Sequence, residues 1–129
     1  MPLSVGDTFY LQARPDKPAH WCFVVGIDPE RNKLYIVNMS EWIPTKEQTC
    51  IIEIGEHEKV TKKSTIEYRY GDSLNLTIIE EDIQKGQIKT SSPASPVLLN
   101  KILVGIKKTI FLDGKIKQRL KTLYPSIFQ

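Results

Sequence analysis

AHWCFVVGIDPERNKLYIVNMSEW, residues Ala19 to Trp42, decides the fold. Trp21 to Ile27 is nearly all apolar, which suits a central strand covered on both faces. Asp28-Pro-Glu-Arg-Asn32 is a turn, since proline, aspartate and asparagine punctuate a ladder there. Lys33 to Asn38 then alternates, with Leu34, Ile36 and Asn38 on one side and Tyr35 and Val37 on the other. Two such runs around a short polar turn predict a β-hairpin.

Working outward, Gly6-Asp7 opens a strand over Thr8 to Gln12, whose threonine, phenylalanine and tyrosine favour a pleated surface. Arg14 to Pro18 (RPDKP) reads as a loop. On the other side, Met39 to Gln48 reads as a loop containing Trp42 and Pro44. Thr49 to Ile54 is a fourth strand, and Gly55-Glu56 turns the chain. Thr65 to Tyr70 alternates Ile66, Tyr68 and Tyr70 against Glu67 and Arg69, and Asn75 to Ile79 is a further short strand. Short strands at this spacing predict a small barrel or a strongly curved antiparallel sheet.

The remainder reads as helical. Glu80 to Lys85 reads as one short helical turn, and Thr90 to Pro93 is a loop. Ser95 is an N-cap with Pro96 at the first helical position. Leu99, Ile102, Leu103, Ile106 and Ile110 then recur at helical spacing. Asp113 caps a last helix with Ile116, Leu120 and Leu123 on one face, and Pro125 ends it. The expected class is α+β in a single domain, residues 1–129. A strongly bent antiparallel β-barrel over 1–79 is followed by two C-terminal α-helices within 80–129.

Composition narrows the options. A chain of 129 residues can bury a core without disulfides or metals. No apolar run approaches the roughly 18 residues of a membrane span, so no membrane partner is expected. The start, MPLSVGDTF, lacks the pattern of a signal peptide, which predicts a cytoplasmic protein. Cys22 and Cys50 give neither a disulfide framework nor zinc-ligand spacing, so no metal or cofactor is expected, and both read as small buried thiols. Residues 95–129 hold seven Lys or Arg and one acid, a charge of +6, against −3 for the first 94 residues. A basic tail on a mildly acidic body attracts nucleic acid or an acidic partner, or is simply a solvated helical face.

The opening Gly6-Asp7-Thr-Phe-Tyr, the apolar second strand, and a third strand ending in Asn38-Met39-Ser40 resemble PemK/MazF-type toxins over roughly residues 5–79. Gly55-Glu56-His57 followed by Ser64 and Tyr68 is similar to a pattern in small PemK-like proteins. The resemblance implies an SH3-like barrel, a homodimer, an acidic antitoxin partner, and metal-independent cleavage of single-stranded RNA. Ser40 stands where the family has a Thr or Ser at the end of strand three. The family's basic approach to strand two is absent, and Pro18-Ala19-His20 stands there instead.

Metal-free RNA cleavage needs a base, an acid and cations. Histidine titrates near neutrality, and lysine makes charge-assisted bonds to phosphate. The two histidines, His20 and His57, lie at strand ends and form the expected acid/base pair, with Ser40 as a hydrogen-bond donor. Lys62, Lys63, Ser64 and Tyr68 are the expected substrate-binding residues. Plain structural alternatives stand beside each: His57 bonded to the backbone of its turn, His20 exposed in a loop, Lys62-Lys63 solvated, Tyr68 packed in a strand. The rival function is a non-catalytic SH3-like module that binds nucleic acid or a partner protein.

Overall fold

The hairpin is the centre of the sheet. In the computed structural model, which describes residues 2–12, 15–16 and 18–128, β2 (His20–Asp28) pairs with β3 (Lys33–Glu41). Asn32 turns the chain between them in the left-handed region, φ 52°, which asparagine tolerates better than most side chains. β1 (Thr8–Leu11) lies outside β2, and β5 (Ser64–Asn75) lies outside β3. Two short edge strands finish the sheet, β4 (Ile51–Ile52) beside β5 and β6 (Thr90–Ser91) beside β1. The order is β4-β5-β3-β2-β1-β6, with antiparallel pairs throughout. The RPDKP loop expected at 14–18 falls partly on residues outside those described.

The sheet curls strongly into a half-barrel. The loop after β4, on one edge, reaches β6, on the other. Glu58 accepts hydrogen bonds from the Ser91 hydroxyl and from the Ser92 N–H at 2.9 Å. His57 Nε2 lies 2.7 Å from the Ser92 carbonyl. On its way this loop crosses the Trp21 and Phe23 side of β2, so that side is the inside of the curl.

Side chains separate by strand alternation into two cores. Inside lie Phe23, Val25, Tyr35, Val37, Ile66 and Tyr68, covered by α2 (Pro96–Lys108) and α3 (Gly114–Leu123). On the outer face Phe9, Cys22, Val24, Leu34 and Ile36 pack under Leu76, Ile79 and Ile83 of α1 (Leu76–Gln84). Ser95 and Asp113 cap α2 and α3. Ile110, assigned to the apolar stripe of α2 by its spacing, lies beyond the helix and is 88% exposed.

Among the described residues three helices stand where two and a single helical turn at Glu80–Lys85 were expected. Asn75 to Ile79 is not a strand. Asn75 ends β5, and its Oδ1 accepts the Ile78 N–H at 3.0 Å as the N-cap of α1. Asn32 accepts the Thr77 N–H at 3.0 Å and fixes the same helix start to the hairpin turn. β5 also runs five residues past Tyr70, and β4 keeps only two of its six expected residues.

β5 makes room for itself by a large bulge. Asn38 pairs with Glu67 and Ile36 with Asp72, so five steps on β5 face two on β3. A bulge leaves backbone N–H groups without ladder partners. Here the buried Glu47 carboxylate supplies them, accepting from Tyr68 N–H at 3.2 Å and Arg69 N–H at 3.0 Å.

Candidate functional site

His20 and Ser40 lie at the adjoining ends of β2 and β3. Trp21 pairs with Met39 and Cys22 with Asn38. His20 and Ser40 are the residues just beyond the Trp21–Met39 pair, at those adjoining ends. Ser40 in turn pairs with Thr65, and Asn38 with Glu67. The paired positions are Ser40–Thr65 and Cys22–Asn38–Glu67, beside the apolar patch that α1 covers, with His20 at the adjoining strand end.

The segment after β3 folds back over this face. Lys46 places its ammonium 3.0 Å from Ser40 Oγ and 2.8 Å from the Glu41 carbonyl. Thr65 donates to the Glu47 carbonyl at 2.8 Å, which holds the segment down. Lys63 sits over the Trp42 ring, 4.6 Å from its centroid. The row thus offers an imidazole, a hydroxyl, two ammonium groups and the Glu67 carboxylate within one strip of strand ends.

Two polar atoms in this strip are buried without a partner among the described residues, Asn38 Oδ1 and Trp42 Nε1. Asn38 lies in β3 and Trp42 just past its end, with Ser40 between them in sequence.

The other expected site residues lie elsewhere. His57 is buried on the inner side, its ring edge-on to Phe23 at 5.5 Å. Its Nε2 faces the Ser92 carbonyl, and its Nδ1 accepts the Lys59 N–H at 3.1 Å. Both ring nitrogens are engaged by backbone, and the sheet separates His57 from His20. The two histidines do not form a pair. Tyr68 is fully buried, and its hydroxyl donates to the Ile102 carbonyl at 2.7 Å. Burial raises its hydroxyl pKa far above the ordinary value, and no face is left on which a base could stack. Ser64 is buried and donates to the Lys62 carbonyl at 2.8 Å. Lys62 makes an exposed ion pair of 3.7 Å with Glu41, an interaction worth little in water. Of the residues expected to bind substrate, Lys63 alone joins the His20–Ser40 strip.

Electrostatics separate working groups from inert ones. Burial pushes the Cys22 thiol up to about 12 and raises Cys50 as well, so neither is a ready thiolate. Burial also raises Glu47, against the hydrogen bonds from Arg69 and Tyr68 that pull it down. Among the described residues no three His, Cys, Asp or Glu side chains gather as they would around a metal ion. No described helix is long and apolar enough to cross a membrane.

Sequence reasoning named Trp42 only as one of several aromatics able to stack on a base, and did not find Asn38, Lys46 or Glu47. A signal existed for Asn38. Asn38, Ser40 and Trp42 recur at period two just where the apolar strand ends, which puts three polar-tipped side chains on one face. Lys46 and Glu47 act through a fold-back that nothing local in a polar loop announces.

Compared with models of known protein families and with curated proteins, the chain matches none.

Proposed function

We propose that this protein is a PemK/MazF-like, SH3-like-barrel protein that binds single-stranded RNA on its outer face and cleaves it without a metal. The observation that carries the reading is the Lys46 ammonium on the Ser40 hydroxyl, at the end of β3 whose Met39 pairs with Trp21, the residue after His20. His20 takes the proton of a 2′-hydroxyl as its oxygen attacks phosphorus. Lys46 and Ser40 hold the non-bridging oxygens, where negative charge grows in the transition state. The bond to the 5′-oxygen breaks, and that oxygen takes a proton from the Lys46 ammonium. The homodimer and acidic protein partner implied by the family resemblance belong to the same proposal, as does a growth-inhibiting role.

Long single-stranded RNA in EDTA tests it, with wild type beside His20→Ala, Ser40→Ala and His57→Gln. The expected outcome is cleavage by wild type, loss with His20→Ala, and cleavage retained by the folded fraction of His57→Gln. Intact RNA with wild type would sink the nuclease reading.

One observation favours the second reading, a binding module without catalysis. An open depression on α3 is lined by Gly114, Lys115, Gln118, Arg119 and Thr122. Its basic lining suits an anionic ligand held by charge alone.

A further inference from the structure

Hydrogen bonds and a buried leucine anchor the loop between α2 and α3, yet it leaves apolar groups in water. Thr109 Oγ1 accepts the Phe111 N–H at 3.0 Å, and the Thr109 carbonyl accepts from Lys117 Nζ at 2.8 Å. Leu112 is buried against Gly71 of the β5 bulge, where any Cβ would collide with the leucine side chain. Asp113 is tied to the Lys115 and Ile116 N–H groups at 2.8 and 3.3 Å. Yet Ile110 is 88% exposed, Phe111 38% and, in the bulge itself, Tyr70 53%. Folding explains the placement of Leu112. It does not explain an isoleucine and two aromatic rings left facing solvent on anchored backbone.

The charges around these groups are equally unbalanced. Arg69 lies over the Phe111 ring, 5.0 Å from its centroid. Lys107, Lys108 and Lys115 are exposed, and among the described residues none has a carboxylate within ion-pair distance. Asp113, the one acid of residues 95–129, is committed to capping α3. Exposed aromatics beside unpaired cations match one anionic polymer well. In a single-stranded nucleic acid each base presents a π-face and each linkage a phosphate, whereas a duplex hides its faces. Flat rings from two different elements, one already stacked by an arginine, suit bases better than lipid chains.

We propose that the β5 bulge and the α2–α3 loop form a stacking platform for single-stranded RNA, with Phe111 and Tyr70 under bases and Lys107, Lys108 and Lys115 on phosphates. The platform deepens the RNA reading above and rests on RNA being the ligand. Its β5 part is linked to the Ser40 strip, since Glu47 bonds the Arg69 N–H while its neighbour Lys46 bonds Ser40.

The test is anisotropy of a labelled 12-nucleotide single-stranded RNA in EDTA, with His20→Ala as the parent so that the probe survives. Phe111→Ala is expected to weaken binding about tenfold, and Tyr70→Ala by a similar factor. The same RNA as a duplex should not register either change. Reversing Lys107 and Lys108 to Glu should flatten the salt dependence of single-strand binding by more than one unit of slope. Should Phe111→Ala unfold, Phe111→Leu keeps the bulk without the ring and reads the same loss. Parent-like affinity in both ring variants overturns the platform, as does a parent that binds no RNA. Binding to phosphatidylserine vesicles that Ile110→Ser abolishes, with RNA affinity untouched by Phe111, assigns the surface to lipid instead. Cleavage by wild type with no effect of Phe111→Ala removes the platform and leaves the nuclease. Phe111-dependent binding without cleavage removes the nuclease and leaves the platform.

Discussion

The two histidines sit on opposite faces of one sheet, and the contrast between their surroundings separates architecture from chemistry. His57 lies inside the curl, buried, both ring nitrogens held by backbone, in the loop that ties the β4 edge to β6. His20 lies outside, half-buried at a strand start, with no hydrogen bond to its ring among the described residues. Residues of equal chemical promise thus differ in what they are free to do. A group whose bonds are all made inside the fold holds structure, and one left open beside a hydroxyl and an ammonium is available to a ligand.

The inner side should break hardest. Tyr68→Ala removes a fully buried ring and the bond to Ile102, and about 3–5 kcal/mol of stability is expected to go with it. Gly105→Ala tests the same contact from the helix, since a methyl there would collide with the Tyr68 hydroxyl. It should cost about 1–3 kcal/mol by overpacking. Denaturant unfolding measures both. Equal stability in the Gly105 variant would mean that α2 can move freely off the sheet.

Glu47 comes next, and it distinguishes the two faces by pH. Glu47→Ala strips two bulge N–H groups of their acceptor, at about 1–3 kcal/mol. Burial raises the folded-state pKa of Glu47, so the native chain binds its proton more tightly than the unfolded one. Its contribution is therefore most favourable in acid and declines as pH rises from 4.5 through the raised value. Glu58, in the edge closure, has the opposite sign. Its bonds from Ser91 and Ser92 lower it to about 2. That stabilisation is full above 4.5 and is lost as pH falls towards 2. Subtracting the pH–stability curves of Glu47→Gln and Glu58→Gln from wild type should give slopes of opposite sign. Slopes of one sign would show that one of these contacts does not form in solution.

Much of this contrast was legible in the sequence, and the illegible part has definite physical causes. Alternation in Lys33 to Asn38 and the unbroken apolar run of Trp21 to Ile27 specify the hairpin, and Ser95-Pro96 and Asp113 specify two helix starts. The first helix was hidden because Leu76-Thr-Ile-Ile79 is rich in β-branched residues, and its start depends on Asn32, over forty residues away. The bulge was hidden because its stabilising partner, Glu47, lies twenty residues upstream in a polar loop. Ser40 and His20 were recognisable as polar strand-end residues, while their placement at adjoining ends is a matter of pairing. His57 and Tyr68 misled because residue type announces chemistry, and only burial shows that the chemistry is already used by the fold.

The sharpest test of the comparison is also the smallest in stability. His57→Gln loses a ring packed on Phe23 and one or both backbone bonds, and should cost about 1–2 kcal/mol while sparing cleavage. His20→Ala removes a half-buried side chain that bonds nothing described, and should shift stability by no more than about 0.5 kcal/mol. Yet it should abolish RNA cleavage. Thermal melting and the EDTA cleavage assay, run on both variants, give a two-by-two outcome. Stability lost at His57 with activity lost at His20 is the outcome expected on the proposed function. Activity lost at His57 in protein that still melts like wild type would reverse the assignment. The inner loop would then have to open, releasing the Ser92 and Lys59 bonds, before it could meet a substrate.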